Sequence, residues 1–524
     1  MRANTLSKDK SDRHWDVLAV FVVFAFIVIM LISILHHEVW RDEIEAWLIA
    51  QHSGSIGELF QNFKYEGHPC LWFFLLYVIT RFTDQMFFMQ LLHVLIATGS
   101  IYVFVRYAPL SKLHKVLFCF GYFSAYEYAV ISRNYAIGIL LIFIFCALYV
   151  SRLKSYIPLS IVLFFLSQTS FFGLIFALLL SFILFIEFVF DKNVRSVWIS
   201  KKWEISIAAL IVIIGVVSAV FQMLPPEDSK NVVGWRTYFD AAQFLRVAKT
   251  IWESFFPVPQ LQYEFWNTNI VSVGGIINIL SVAVLIVLPF FFIRRPVVFC
   301  GFVVGVLGLL SFFYLKYAGH LRHQGHLFIL FIVCYWLMAY HKPIDLKSKT
   351  IRFVSKLSEK LAPIAVTVIL CAQVAGAAIA IGFDLKYPFS ANRAVIDYIL
   401  ENKLEKMVMA GDIDYSAQFI PAYLGKEIYY PLSNRFGTYV IWDTQRGDLR
   451  LRDAEWFQEH AESVIDNVKN LAQQRGEDIL LILNYKTRKS LPVRKIASFD
   501  KSIVADEKYD LYIIPYIETE NSEM

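Results

Sequence analysis

The side chains best suited to chemistry in this sequence border apolar runs. One group is Trp40-Arg41-Asp42-Glu43-Ile44-Glu45-Ala46-Trp47, directly after the first long apolar segment, followed by Glu66-Gly67-His68-Pro69. Charge beside a bilayer is costly and calls for a partner or a function. Carboxylates and an imidazole there can accept a proton from a nucleophile, or bind a divalent cation through Asp42, Glu66 and His68. The competing reading is that Asp42 and Glu43 merely face the positive end of an interfacial helix. A second group is Tyr126-Glu127-Tyr128 with Ser132-Arg133-Asn134-Tyr135. Arg133 can grip a phosphate through paired N–H donors, or simply reach toward the interface. The third group runs from Lys316 to His326, with His320, His323 and His326 spaced by three. That spacing is a weak zinc pattern, so interfacial polar residues are the plainer reading. Lys316 and Arg322 there can contact an anion.

These residues must be positioned by membrane elements. Of 524 residues, 57% are hydrophobic and only 18% charged, against about 25% in a soluble domain. The net charge of +5 is small for the length and argues against a nucleic-acid partner. Hydropathy marks candidate crossings at 17–36, 86–105, 116–131, 135–151, 156–169, 171–190, 204–222, 271–293, 297–315, 327–340 and 362–382. The first is too long for a signal-peptide core and lacks a small-residue cleavage site, so it reads as a retained helix. The expected fold is a polytopic α-helical membrane protein of about eleven to thirteen transmembrane helices with a small C-terminal α/β domain. The six cysteines lie in or beside apolar runs without CxxC spacing and read as packing residues.

Lys and Arg cluster in Arg106–Lys115, Arg152–Lys154, Lys192–Lys202, Arg294-Arg295 and Lys342–Lys360. The positive-inside rule puts these loops and the N-terminus in the cytoplasm, and loops 37–85, 132–134, 223–270 and 316–326 outside. The apolar stretch within Pro69–Thr80 is too short to cross and reads as re-entrant or interfacial. Asp42–Ala50 and Ser55–Lys64 read as interfacial helices. The division is then a membrane domain over 1–382 and an extracytoplasmic α/β domain over 383–524. In the latter, Ala391–Lys403 and Asp453–Gln474 have helical periodicity, and Met407–Ala410, Ile479–Leu483 and Leu511–Ile514 are strand-length runs. The polar groups thus share the outer face, where no nucleotide is supplied, and no GxxxxGK[ST] loop occurs. An enzyme working there must receive its energy in the substrate, and a lipid-phosphate leaving group meets that need.

The order Trp40-Arg41-Asp42-Glu43, then Glu66-Gly67-His68-Pro69-Cys70-Leu71-Trp72, then Ser132-Arg133-Asn134-Tyr135-Ala136 resembles the GT-C glycosyltransferases. These include protein O-mannosyltransferases, the aminoarabinose transferase of lipid A and related polyprenyl-phosphate sugar transferases. The resemblance covers residues 17–150 best; Cys70 stands where the family often has a second proline. It implies an inverting transfer from a polyprenyl-phosphate sugar to a glycan, lipid or protein acceptor at a bacterial inner membrane. It assigns Asp42 to deprotonating or positioning the acceptor, Glu43 to assisting, and Arg133 with Lys316 or Arg322 to the donor phosphate. Glu66, His68, Tyr135, His323 and His326 are further site candidates, and a divalent cation a candidate cofactor. Two other classes remain open. A flippase for a lipid-linked substrate would move it without forming a bond. A non-catalytic assembly protein would bind through the tail aromatics Tyr415, Tyr423, Tyr429, Tyr430 and Trp442.

Overall fold

A computed structural model describes residues 2–230, 234–446, 454–487 and 489–518. The chain is an integral membrane protein: seven described helices are long and apolar enough to cross a bilayer. Shorter apolar helices, among them Tyr135–Leu148 and Ile157–Ser167, pack between them. Close approach is achieved with small residues. A Cβ on Gly301 would lie 2.6 Å from Ile183, and one on Gly305 2.7 Å from Leu179, so these glycines let helix Pro296–Leu315 lie against helix Phe171–Phe190.

Three segments differ from the hydropathy reading. Residues 116–131 do not form one helix. Helix Lys112–Cys119 ends, a π-turn spans Phe123–Glu127, and the chain then runs irregularly to Asn134. Non-helical backbone at such depth needs internal partners. His93 supplies them, its ring nitrogens lying 3.1 Å from the Ala129 carbonyl and 3.0 Å from that of Arg133. The helix expected over 327–340 starts earlier, at Leu321, so the loop before it is shorter, His320 stands at the helix start and His323 and His326 lie on the helix. Its polar first turn is stabilised by His320, whose N–H donates to His323 Nδ1 at 2.9 Å. Finally, Lys349–Lys386 is one helix of 38 residues that passes Pro363 and ends beyond residue 382.

Residues 37–85 fold into helices Arg41–Gln51, Ile56–Asn62 and Leu71–Thr80. The last is only about 15 Å long, half a hydrocarbon thickness. The tail forms a six-stranded sheet: β1 Val408–Asp412, β2 Ile428–Tyr430, β3 Arg435–Gly437, β4 Ile479–Leu483, β5 Arg494–Phe499 and β6 Tyr509–Ile514. The order is β3-β2-β1-β4-β6-β5, with β1 parallel to both β2 and β4. Strand β3 is only three residues long, and β5 is half-exposed and bulged, so neither leaves a run of apolar residues in the sequence. The segment 37–85 and the tail share one apolar core, in which Ile44, Trp47 and Trp72 pack with Val395, Phe419 and Leu511. Tyr429 and Tyr430 are buried in the tail, while Trp442 and Tyr415 turn toward helix Arg41–Gln51.

Candidate functional site

The Arg41–Gln51 helix begins on extended backbone at Trp40. Glu43, three residues on, closes the start: its Oε2 accepts the Trp40 N–H at 3.1 Å. Its Oε1 accepts the Ser132 N–H at 2.5 Å, and Oε2 lies 3.3 Å from His37 Nε2. His37 in turn contacts Asp384 at 2.7 Å. Burial works against a charge on His37, but Asp384 and Glu43 override it and raise its pKa to about 10. Glu43 is therefore fully buried and ties the helix start to the segment bearing Arg133; it does not line the cleft that Asp42 faces.

Asp42 points the other way and keeps 24% of its side chain exposed. Arg322 Nη2 donates to its Oδ2 at 3.1 Å, Arg133 Nη2 lies 3.8 Å from the same oxygen, and Arg41 Nε lies 3.7 Å from Oδ1. Arg133 also donates to the Asp42 main-chain carbonyl. Burial opposes charge on Asp42, but the Arg133, Arg322 and Arg41 guanidiniums outweigh it and hold the carboxyl below the usual range. Arg322 is itself set between indoles, 5.0 Å from the Trp40 ring and 5.5 Å from that of Trp266. Trp266 is fixed by its Nε1–H donating to Glu127 at 2.9 Å. The Nε donors of Arg133 and Arg322 are buried without a hydrogen-bond partner.

Asp42 and Arg322 open on a cleft of about 540 Å³, walled by Trp40, Trp266 and His320 and closed by Ile503–Asp506 of the tail. Burial and the neighbouring Arg322 hold the His320 imidazole down to about 4, leaving it neutral. Beside the cleft lies a second acidic group that sequence reading did not single out. Glu45, one turn after Asp42, accepts the Trp442 Nε1–H at 3.0 Å. Burial, then Asp42, pushes its carboxyl up; burial, then Glu45, does the same to Glu66. The signal in the sequence is the i, i+3 spacing of Asp42 and Glu45, which puts both on one helical face. His68 is held down to about 3 by burial and then Arg133.

The remaining expected residues separate. Tyr135, His323 and His326 are buried in an aromatic cluster with Phe172, where His326 stacks at 4.3 Å. Lys316 Nζ lies 5.1 Å from the Trp235 ring and does not line the cleft. The metal set Asp42, Glu66 and His68 is not assembled: among the described residues no three His, Cys, Asp or Glu side chains converge to hold a metal ion. The physical reason is at Asp42, whose three guanidinium neighbours repel a cation.

A helical membrane bundle and an α/β tail together border the charged cleft, and this fold has counterparts among solved structures. Among solved structures, the chain is similar to ArnT from Cupriavidus metallidurans bound to undecaprenyl phosphate, with a TM-score of 0.51, 11% identity, and coverage of 96% of this chain and 98% of that one. It is similar also to ArnT from the same organism in the apo state, with a TM-score of 0.52 at the same identity. At that identity the likeness is one of fold. No protein-family model and no curated protein matches the chain.

Proposed function

We propose that this protein is a membrane glycosyltransferase that moves a sugar from a polyprenyl-phosphate donor to a glycan, lipid or protein acceptor on the extracytoplasmic face. The observation that carries the reading is Asp42 held between Arg133 and Arg322, whose buried Nε donors have no partner, at the edge of an open cleft. Two arginines share this one carboxylate, and Arg322 lines the cleft, where its guanidinium would meet an incoming phosphate. Undecaprenyl phosphate, bound to the ArnT of similar fold, has the corresponding chemistry.

In the transfer, the acceptor's nucleophilic atom attacks the anomeric carbon and its proton passes to Asp42. The bond from that carbon to the phosphate oxygen breaks, and the electron pair leaves with the lipid phosphate. Arg133 and Arg322 stabilise the charge that develops there. As the phosphate draws on these guanidiniums, their hold on Asp42 weakens and its basicity rises toward that of an ordinary carboxylate. One displacement at the anomeric carbon gives inversion. Glu43 takes a positioning part, and no step is routed through a metal.

The test uses the full-length protein in nanodiscs with undecaprenyl-phosphate sugars, measuring released undecaprenyl phosphate by mass spectrometry. Asp42→Asn is expected to stop release while leaving the protein folded; full activity in that variant rejects the reading. Lipid extracts of cells lacking the protein should show an accumulated donor or an unmodified acceptor, which names the substrate.

A further inference from the structure

The helix that carries Asp42 has a backbone donor at its first residue that no helical carbonyl can meet. That donor, the N–H of Arg41, is bound by Glu507 Oε1 at 2.9 Å, from 466 positions away in the sequence. Glu507 is fully buried and fixed in its own turn: its N–H donates to the Val504 carbonyl at 3.1 Å, and its carbonyl accepts the Ala391 N–H at 3.2 Å. Asp506 Oδ2 lies 2.5 Å from Arg41 Nη1, and the Arg41 guanidinium lies 5.0 Å from the ring of Tyr415. One turn further along the helix, Trp442 binds Glu45. The tail thus holds this helix at its main-chain start, at Arg41 and at Glu45. A carboxylate at a helix N-terminus also matches the positive end of the helix dipole.

We propose that Glu507 is a positioning residue for the transfer reaction: it caps the helix that presents Asp42, which makes the tail a working part of the reaction centre. This rests on the function proposed above. The segment before Glu507, Ile503–Asp506, forms a wall of the cleft, so one short stretch both caps the helix and bounds the space in which Asp42 acts.

The first measurement needs no substrate. Hydrogen exchange of the full-length protein in nanodiscs should show Arg41–Glu45 exchanging about ten times faster in Glu507→Ala, with β1 and β4 of the tail unchanged. Glu507→Gln keeps an acceptor oxygen in place and should restore most of the protection. Unchanged exchange at 41–45 in the alanine variant overturns the proposal. So does equal loss in both variants, because the amide would then fail to rescue a cap. If the alanine variant does not fold, Asp506→Ala replaces it, removing the contact to Arg41 from an exposed side chain, with about threefold faster exchange expected at 41–45 and no change overturning the proposal. The second measurement is release of undecaprenyl phosphate from undecaprenyl-phosphate sugars. Glu507→Ala should lower kcat about tenfold or more with KM unchanged, and Glu507→Gln should recover it. Normal turnover in Glu507→Ala with none in Asp42→Asn rejects the positioning role of Glu507 and keeps the function. Normal turnover in Asp42→Asn rejects the function, and the exchange result then still decides whether the cap exists.

Discussion

The two ends of the bundle both bury arginine against carboxylate, and they do it differently. At the end remote from the tail, Arg152 and Glu187 form a closed pair: Arg152 Nε donates to Glu187 Oε2 at 2.7 Å and its Nη2 donates to Oε1. Tyr149 completes the set, its hydroxyl donating to Glu187 at 3.0 Å and its ring lying 4.1 Å from the guanidinium. One cation meets one anion with both carboxylate oxygens engaged. At the end nearer the tail, Arg133 and Arg322 share Asp42 while Arg41 beside it pairs with Asp506, the Nε donors of Arg133 and Arg322 lack a partner, and Asp42 and Arg322 border a cleft. A matched, sealed pair holds helices together; a group with more arginine than shared carboxylate beside a cleft fits the charged ligand proposed above. Residue types alone do not separate these cases. Stoichiometry and solvent access do.

The comparison breaks first at Asp42. Asp42→Asn should lower transfer by about a thousandfold, the scale of losing one group that acts at the transition state, with the melting temperature nearly unchanged. Glu187→Ala should do the reverse: about 3–5 kcal/mol of stability lost through an uncompensated buried guanidinium, with turnover per folded molecule retained. Thermal unfolding in nanodiscs reads this, and Arg152→Met with Glu187→Met should recover much of it. Arg322→Ala should weaken undecaprenyl phosphate binding about tenfold to a hundredfold, measured by native mass spectrometry, whereas Arg152→Met with Glu187→Met should leave it unaltered. The smallest effect is at His37. Its pKa is raised from 6.5 to about 10 in the folded protein. The stabilisation from its charge is therefore fully present below about pH 6.5 and is lost as pH rises toward 10. Melting temperature should fall across that window, and His37→Gln should flatten the fall.

Asp42, Arg133 and Arg322 were legible in the sequence because charge next to an apolar run stands out, and so was the overall plan of bundle plus α/β tail. Glu45 and Glu507 were not. Each acquires its part from a partner 397 or 466 positions away, Trp442 and Arg41, and such pairings have no local pattern. The histidines at 323 and 326 misled in the opposite sense. They read as interfacial polar residues on a loop, but a polar first turn continues the helix into the bundle and buries both rings against Tyr135 and Phe172. Hydropathy also missed the break at 120–134, because the apolar residues there continue while the backbone leaves the helix and its carbonyls turn to His93.

The contact between Arg41 and Glu507 also bears on timing. A ribosome makes residue 41 well before residue 507, which follows 466 positions later. The acidic helix is therefore made long before the residue that binds its first N–H. The helix start is completed only when Glu507 reaches Arg41, so a chain interrupted before residue 507 lacks this contact.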